Sequence, residues 1–172
     1  MAHAKQLEAQ VRELTDLLKV GPSELVLKTR KLITQLKDKE RELEQVKLKL
    51  ASGAKDEADV RTIEGIRVHA QRADGLAMTE LRTLDDQLRD KLQSGVIALG
   101  SVQDGKVALL VAVTKDLVGR VRAGDLIKDM ATEIGGTGGG RPELAQAGGK
   151  NPERLDVALS KVFELVERTL SK

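Results

Sequence analysis

Val96-Ile97-Ala98-Leu99-Gly100-Ser101-Val102, then Gln103-Asp104-Gly105, then Lys106-Val107-Ala108-Leu109-Leu110-Val111-Ala112-Val113: two β-rich runs flank an Asp-Gly pair, which signals a β-hairpin. Upstream, Ile66, Val68 and Ala70 share one face of a further strand, with Arg67, His69 and Gln71 on the other. Ala77, Leu81, Leu84, Leu88 and Leu92 form a helix stripe that ends before Gly95. Downstream, Ala123, Ile127, Met130 and Ile134 make a second stripe, closed by Gly135. The last helix takes Asn151 as N-cap and Pro152 at its first position, and buries Leu155, Leu159, Val162, Val166 and Leu170. Residues 61–172 therefore read as a small globular, glycine-rich α/β layer domain with a mixed β-sheet and flanking helices, on the border of the α+β and α/β classes.

The N-terminal segment has a different rhythm. Leu7, Val11, Leu14 and Leu18 mark one helix, ended by Gly21-Pro22; Ser23 then stands as N-cap of a second, with Glu24 in its first turn. In that helix Leu25, Leu32, Leu36, Leu43, Val46 and Leu50 follow a heptad seam, interrupted at Thr29 and Lys39, until Ser52-Gly53 stops it. The first helix is about 21 Å long and the second about 42 Å, so a hairpin covers only about half of the longer one. Leu43, Val46 and Leu50 are left needing a partner. Residues 1–52 are expected to form a coiled-coil-like helix–loop–helix that makes a homodimer; docking onto another domain is the alternative. Residues 53–60 form a junction.

Composition narrows the function. The net charge is +2, with 12 basic and 11 acidic residues in the first sixty positions and 17 and 16 in the rest. Neither part is a basic tail, so polyanion binding has to come from a local patch. Cysteine is absent and the only histidines are His3 and His69, which excludes disulfides and argues against a metal centre. No apolar run approaches membrane-spanning length and no signal peptide is evident, so a soluble, cytoplasmic protein is expected. Phe163 is the sole aromatic residue, which leaves no platform for stacking splayed bases.

One stretch resists the strand-and-helix reading. Gly135-Gly136-Thr137-Gly138-Gly139-Gly140-Arg141-Pro142, with Ala145-Gln146-Ala147-Gly148-Gly149-Lys150 close behind, holds seven glycines in fifteen residues. A P-loop needs Ser or Thr after its Gly-Lys, and here Asn151 follows Lys150; the glycine expected five positions before Gly149 is Leu144. A dinucleotide fingerprint from Gly136 needs glycine where Arg141 stands. Nucleotide chemistry is thus disfavoured. Two readings remain open. Gly138, Gly139, Gly148 and Gly149 could offer backbone N–H groups to a phosphate beside a helix N-terminus, with Arg141 and Lys150 as cations. Equally, the glycines could let the backbone pass close to a neighbour. Lys115, Arg120, Arg122 and Lys128, diluted by Asp116, Asp125 and Asp129, add a second basic group. His69 reads as a surface or satisfied histidine, and no catalytic triad can be argued.

The segment Gly-Gly-Thr-Gly-Gly-Gly-Arg-Pro-Glu-Leu-Ala-Gln-Ala-Gly-Gly-Lys, with the following Asn-Pro-Glu-Arg-Leu, resembles the C-terminal domain of bacterial alanyl-tRNA synthetases. Ala123-Gly124-Asp125-Leu126-Ile127, Ser94-Gly95-Val96-Ile97-Ala98-Leu99, Asp104-Gly105-Lys106-Val107 and Leu18-Lys19-Val20-Gly21-Pro22-Ser23-Glu24-Leu25 extend the likeness over essentially the whole chain. A related glycine-rich domain occurs in DHH-type phosphoesterases, where a histidine follows the glycines; here that position is Arg141, and the Asp-His-His motif is absent. The resemblance implies a non-catalytic module that binds the tRNA elbow and dimerises through its helices, with aminoacylation and editing carried by other domains. It implies tRNA as partner, a homodimer, no membrane and no cofactor in this chain. Charge and loop position nominate Arg141, Lys150, Lys115, Arg120 and Arg122 for phosphate contact. A purely structural dimerisation module, or a general DNA-binding one, is the alternative.

Overall fold

The computed structural model describes residues 2–53 and 60–171. The chain divides into two compact units, Met1–Val46 and Lys47–Lys172.

The first unit is helical. Helix α1 spans Ala2–Leu18, and α2 spans Leu25–Gly53 and continues across the boundary. Ser23 does not cap α2. Pro22–Glu24 instead form a 3-10 turn with Gly21 at its head, the place a proline's fixed φ favours, and α2 begins at Leu25. The seam stays open: Leu32 is 39% exposed, Leu36 60%, Leu43 56%, Val46 48% and Leu50 69%. Leu25 is half-buried.

The second unit holds six strands: β1 (Val60–Ile63), β2 (Ile66–Arg72), β3 (Val96–Gln103), β4 (Lys106–Val113), β5 (Thr137–Gly140) and β6 (Leu144–Gly149). They form one sheet in the order β1-β2-β3-β4-β6-β5. Only β2 and β3 run parallel, because helix α3 (Met78–Leu92) carries the chain back between them. The β3–β4 hairpin turns at Asp104 and Gly105, both at positive φ (50° and 73°), as a two-residue primed turn requires.

The sheet is covered on both faces. Val68, Val96, Ala98, Leu109 and Val111 pack against helices α4 (Ala123–Glu133) and α5 (Leu155–Leu170), through Ile127, Met130, Val162 and Val166 among others. On the other face Ile97, Leu99, Leu110 and Ala112 meet Leu81, Leu84, Leu88 and Leu92 of α3. Leu48, in the part of α2 that belongs to this unit, joins that second cluster, while Lys47 Nζ donates to the Gly75 carbonyl at 3.1 Å. On the second face of β2 Arg67 is exposed, but the rest of that face is not solvated. His69 and Gln71 are buried, and His69 Nε2 lies 3.0 Å from Gln71 Oε1, a satisfied histidine.

Two elements differ from expectation. Val60–Ile63, assigned in part to the junction, is an edge strand that pairs antiparallel with β2; positions 54–59 of that junction lie outside the described residues. The glycine-rich run is not a loop. It is a β-hairpin, β5–β6, which adds two strands to the sheet beside β4. Gly135 (φ 63°) closes α4, with Gly135 N–H on the Thr132 carbonyl and Gly136 N–H on the Ala131 carbonyl, the paired bonds of a left-handed helix stop.

Candidate nucleic-acid interface

Most of the hairpin glycines have a packing reason. A Cβ at Gly136 would overlap the Gly148 carbonyl, one at Gly140 the Leu144 carbonyl, and one at Gly149 the Ile134 carbonyl. At Gly138 it would lie 2.6 Å from Ala147 Cβ. Gly139 and Gly148 are different: nothing stands within 4 Å of the first, and only the Val107 carbonyl, at 3.8 Å, near the second. Register puts both on the face of α3, since Gln146 pairs with Gly139 on one side and Leu110 on the other, and Gly148 pairs with Ala108. On that face of the two end strands Gly139 and Gly148 alternate with Thr137, Leu144 and Gln146.

The basic residues sort by position along the strands. Arg141 begins the turn between β5 and β6. Pro142 accepts the Ala123 N–H at 2.8 Å and Glu143 accepts the Val113 N–H at 3.0 Å. The turn is thereby stitched to both ends of the 114–122 loop between β4 and α4. Buried Leu117 and Val121 pin that loop, and Lys115, Arg120 and Arg122 stand out from it, all exposed. Lys115, Arg120, Arg122 and Arg141 are thus gathered at one end of the sheet. Among the described residues none of the four has an ion-pair partner, whereas Arg72, Arg154, Lys161 and Arg168 are each held by carboxylates. Asp116 does not neutralise the loop cations directly: it accepts from Ser94 Oγ at 2.5 Å, and hydroxyl donors from Ser94 and Thr114 keep its pKa below the ordinary value.

Lys150 lies at the far end of β6, six residues beyond Leu144, which is hydrogen-bonded to Arg141 across the turn, and therefore roughly 20 Å from Arg141. The two are not neighbours. The backbone N–H groups of Lys150 and Asn151 both donate to the Ile134 carbonyl, at 3.0 and 3.1 Å. The last helix starts only at Leu155, after a 3-10 turn over Pro152–Arg154.

Sequence reading missed the residues of α3 beside the hairpin. Arg82, Asp85, Asp86 and Arg89 share one side of the helix and, with Arg141 and Gln146, line a groove of about 600 Å³. Asp85 is 2% exposed and its Oδ2 sits 2.5 Å from Arg89 Nη2, while its Oδ1 and Arg89 Nε have no partner among the described residues. Burial pushes the Asp85 carboxyl up to about 6 against the pull of Arg89. The signal was there: Asp85 stands four residues after Leu81 and three before Leu88, on the edge of the apolar stripe.

Residues 65–168 match the family model of the DHHA1 domain. The chain belongs to the DHHA1 domain family. This DHHA1 chain is 42% identical over 168 residues to the alanine–tRNA ligase of Solibacter usitatus, covering 96% of the chain and 19% of the ligase. It is 45% identical over 162 residues to that of Cupriavidus necator, covering 93% and 18%. The chain thus spans about a fifth of the length of the curated relatives it matches. Among solved structures it is similar to the C-Ala domain of Aquifex aeolicus alanyl-tRNA synthetase, with a TM-score of 0.56 and 27% identity over 66% of this chain and 98% of that one. These matches bear out the resemblance drawn from the glycine segment. Among the described residues no helix is long and apolar enough to cross a membrane.

Proposed function

We propose that this DHHA1 chain is a non-catalytic tRNA-binding module of the alanyl-tRNA synthetase type, which holds the outer corner of the tRNA through its phosphates. The observation that carries the reading is the cluster of Lys115, Arg120, Arg122 and Arg141, exposed and free of ion pairs among the described residues, at the end of the sheet where the glycine hairpin is stitched to the 114–122 loop. Arginines without carboxylate partners suit phosphate oxygens. With Phe163 as the sole aromatic side chain, recognition of a folded RNA falls to phosphates and 2′-hydroxyls and reads shape. The likeness to the Aquifex aeolicus C-Ala domain and to alanine–tRNA ligases supports tRNA as the partner and the cytoplasm as its place. On this reading, aminoacylation and editing belong to other regions of such ligases.

The open seam of α2 supports a second part of the proposal, homodimerisation through Leu25, Leu32, Leu36, Leu43, Val46 and Leu50. Five of the six are more than a third exposed, and burying a leucine fully is worth about 1.5–3 kcal/mol. A side-by-side titration of the chain with tRNA and with duplex DNA at two salt concentrations tests the RNA reading. Preference for tRNA supports it, equal binding turns it into general polyanion binding, and no binding to either leaves only assembly.

A further inference from the structure

The groove between α3 and the glycine hairpin has cations on both sides: Arg82 and Arg89 from the helix, Arg141 from the β5–β6 turn. Arg82 and Arg141 have no ion-pair partner among the described residues. The hairpin side of the groove presents Gly140, Leu144 and Gln146. Gly139, paired with Gln146, adds no side chain and has nothing within 4 Å of its Cβ position, so a backbone phosphate can approach the edge of the sheet beside Gln146. Arg89 is fixed by Asp85, a carboxylate 2% exposed whose second oxygen is unpartnered among the described residues.

We infer that this groove is a second phosphate-binding subsite, continuous with the sheet-end cluster through Arg141, in which Arg82 and Arg89 contact the RNA backbone and Asp85 sets how much of the Arg89 charge is available. The inference rests on the tRNA-binding reading and extends its contact surface onto α3.

The charges fix the sign of a pH effect. Three arginines face Asp85, Asp86 and Glu143, so the groove is neutral when all are ionised. Beneath the helix, β3 and β4 present the uncharged Ile97, Leu99, Ser101, Ala108, Leu110 and Ala112, and the end of α2 presents Leu48. Protonating Asp85 leaves the groove at +1, and its burial brings that step near pH 6. Affinity for a polyanion therefore rises as pH falls from 7.5 to 5.5.

The test is fluorescence anisotropy of labelled tRNA with the full chain at pH 7.5 and 5.5 and constant ionic strength, comparing wild type, Arg82→Gln and Asp85→Asn. The difference in pH response between wild type and Asp85→Asn isolates Asp85, because every other ionisable group is common to both proteins. Wild type is expected to bind at least about threefold tighter at pH 5.5, Arg82→Gln to bind about threefold weaker at both pH values with a smaller salt slope, and Asp85→Asn to lose most of the pH gain. Arg82 lies on the exposed face of α3, so its variant folds irrespective of the fate of the other. Unchanged binding by Arg82→Gln removes the groove while leaving the tRNA reading intact. A full pH gain in Asp85→Asn overturns the role of Asp85. No tRNA binding by wild type at low salt overturns both the reading and the subsite.

Discussion

The carbonyl of Pro142 accepts the backbone N–H of Ala123 at 2.8 Å, and that bond fastens the turn of the glycine hairpin to the first residue of α4. Gly124 follows at once, and a Cβ there would come within 3.3 Å of the Gly140 carbonyl. Hairpin and helix start thus meet backbone to backbone, which is how Arg122 and Arg141, far apart in sequence, come to share one end of the sheet.

The hairpin glycines divide into two classes with different costs. Gly149→Ala places a methyl group against the Ile134 carbonyl and side chain and should destabilise by about 1–3 kcal/mol. Gly139→Ala meets nothing within 4 Å and should stay within about 0.5 kcal/mol of wild type. Urea midpoints of the two variants check this; equal losses would mean that the hairpin is packed differently.

Much of this fold was legible in the sequence, and the exceptions have physical causes. The Asp104-Gly105 turn and the leucine stripe of α3 announce themselves by turn chemistry and period. The strands β5 and β6 do not, because glycine carries no β-propensity. What makes them strands is pairing with β4 and the contacts that leave Gly136, Gly138, Gly140 and Gly149 no room for a side chain. Strand β1 hid for a related reason: Val60 and Ile63 do not alternate, and its turn uses Glu64-Gly65, at φ 47° and 80°, where Asn or Asp is the usual first residue. Lys150 shows the limit of reading charge from sequence. It follows the same glycine segment as Arg141 yet lies a strand's length away.

That separation is itself testable. Arg141→Gln and Lys150→Gln should combine additively in tRNA affinity, within about 0.5 kcal/mol, because sites that far apart share no partner. A double-mutant cycle measures the coupling, and a clearly larger value would bring the two side chains onto one phosphate.

Asp85 should govern a pH window of stability. Burial raises its folded pKa to about 6, above the ordinary aspartate value of 3.8. The group therefore favours the folded state fully below about pH 4, and that contribution is lost as pH rises through 6. The shift corresponds to on the order of 3 kcal/mol. Unfolding free energy of wild type minus that of Asp85→Asn, followed from pH 4 to 7, should fall by an amount of that order. A flat difference would show that the carboxylate is better solvated than its burial implies.

Leu36→Ala combined with Leu43→Ala should shift a dimer toward monomer in sedimentation equilibrium without changing the unfolding of the globular unit, since both side chains are more than half exposed. A monomeric wild type would remove the dimer from the proposal.

The most direct measurement is the salt dependence of tRNA binding by the chain and by the triple variant Arg120→Gln, Arg122→Gln, Arg141→Gln. If these side chains neutralise phosphates, the slope of log K against log salt shrinks by about 0.7–0.9 for each cation removed, so by roughly 2–3 in all, and affinity at low salt drops with it. A triple variant with the affinity and slope of wild type would contradict an RNA-binding surface at this end of the sheet.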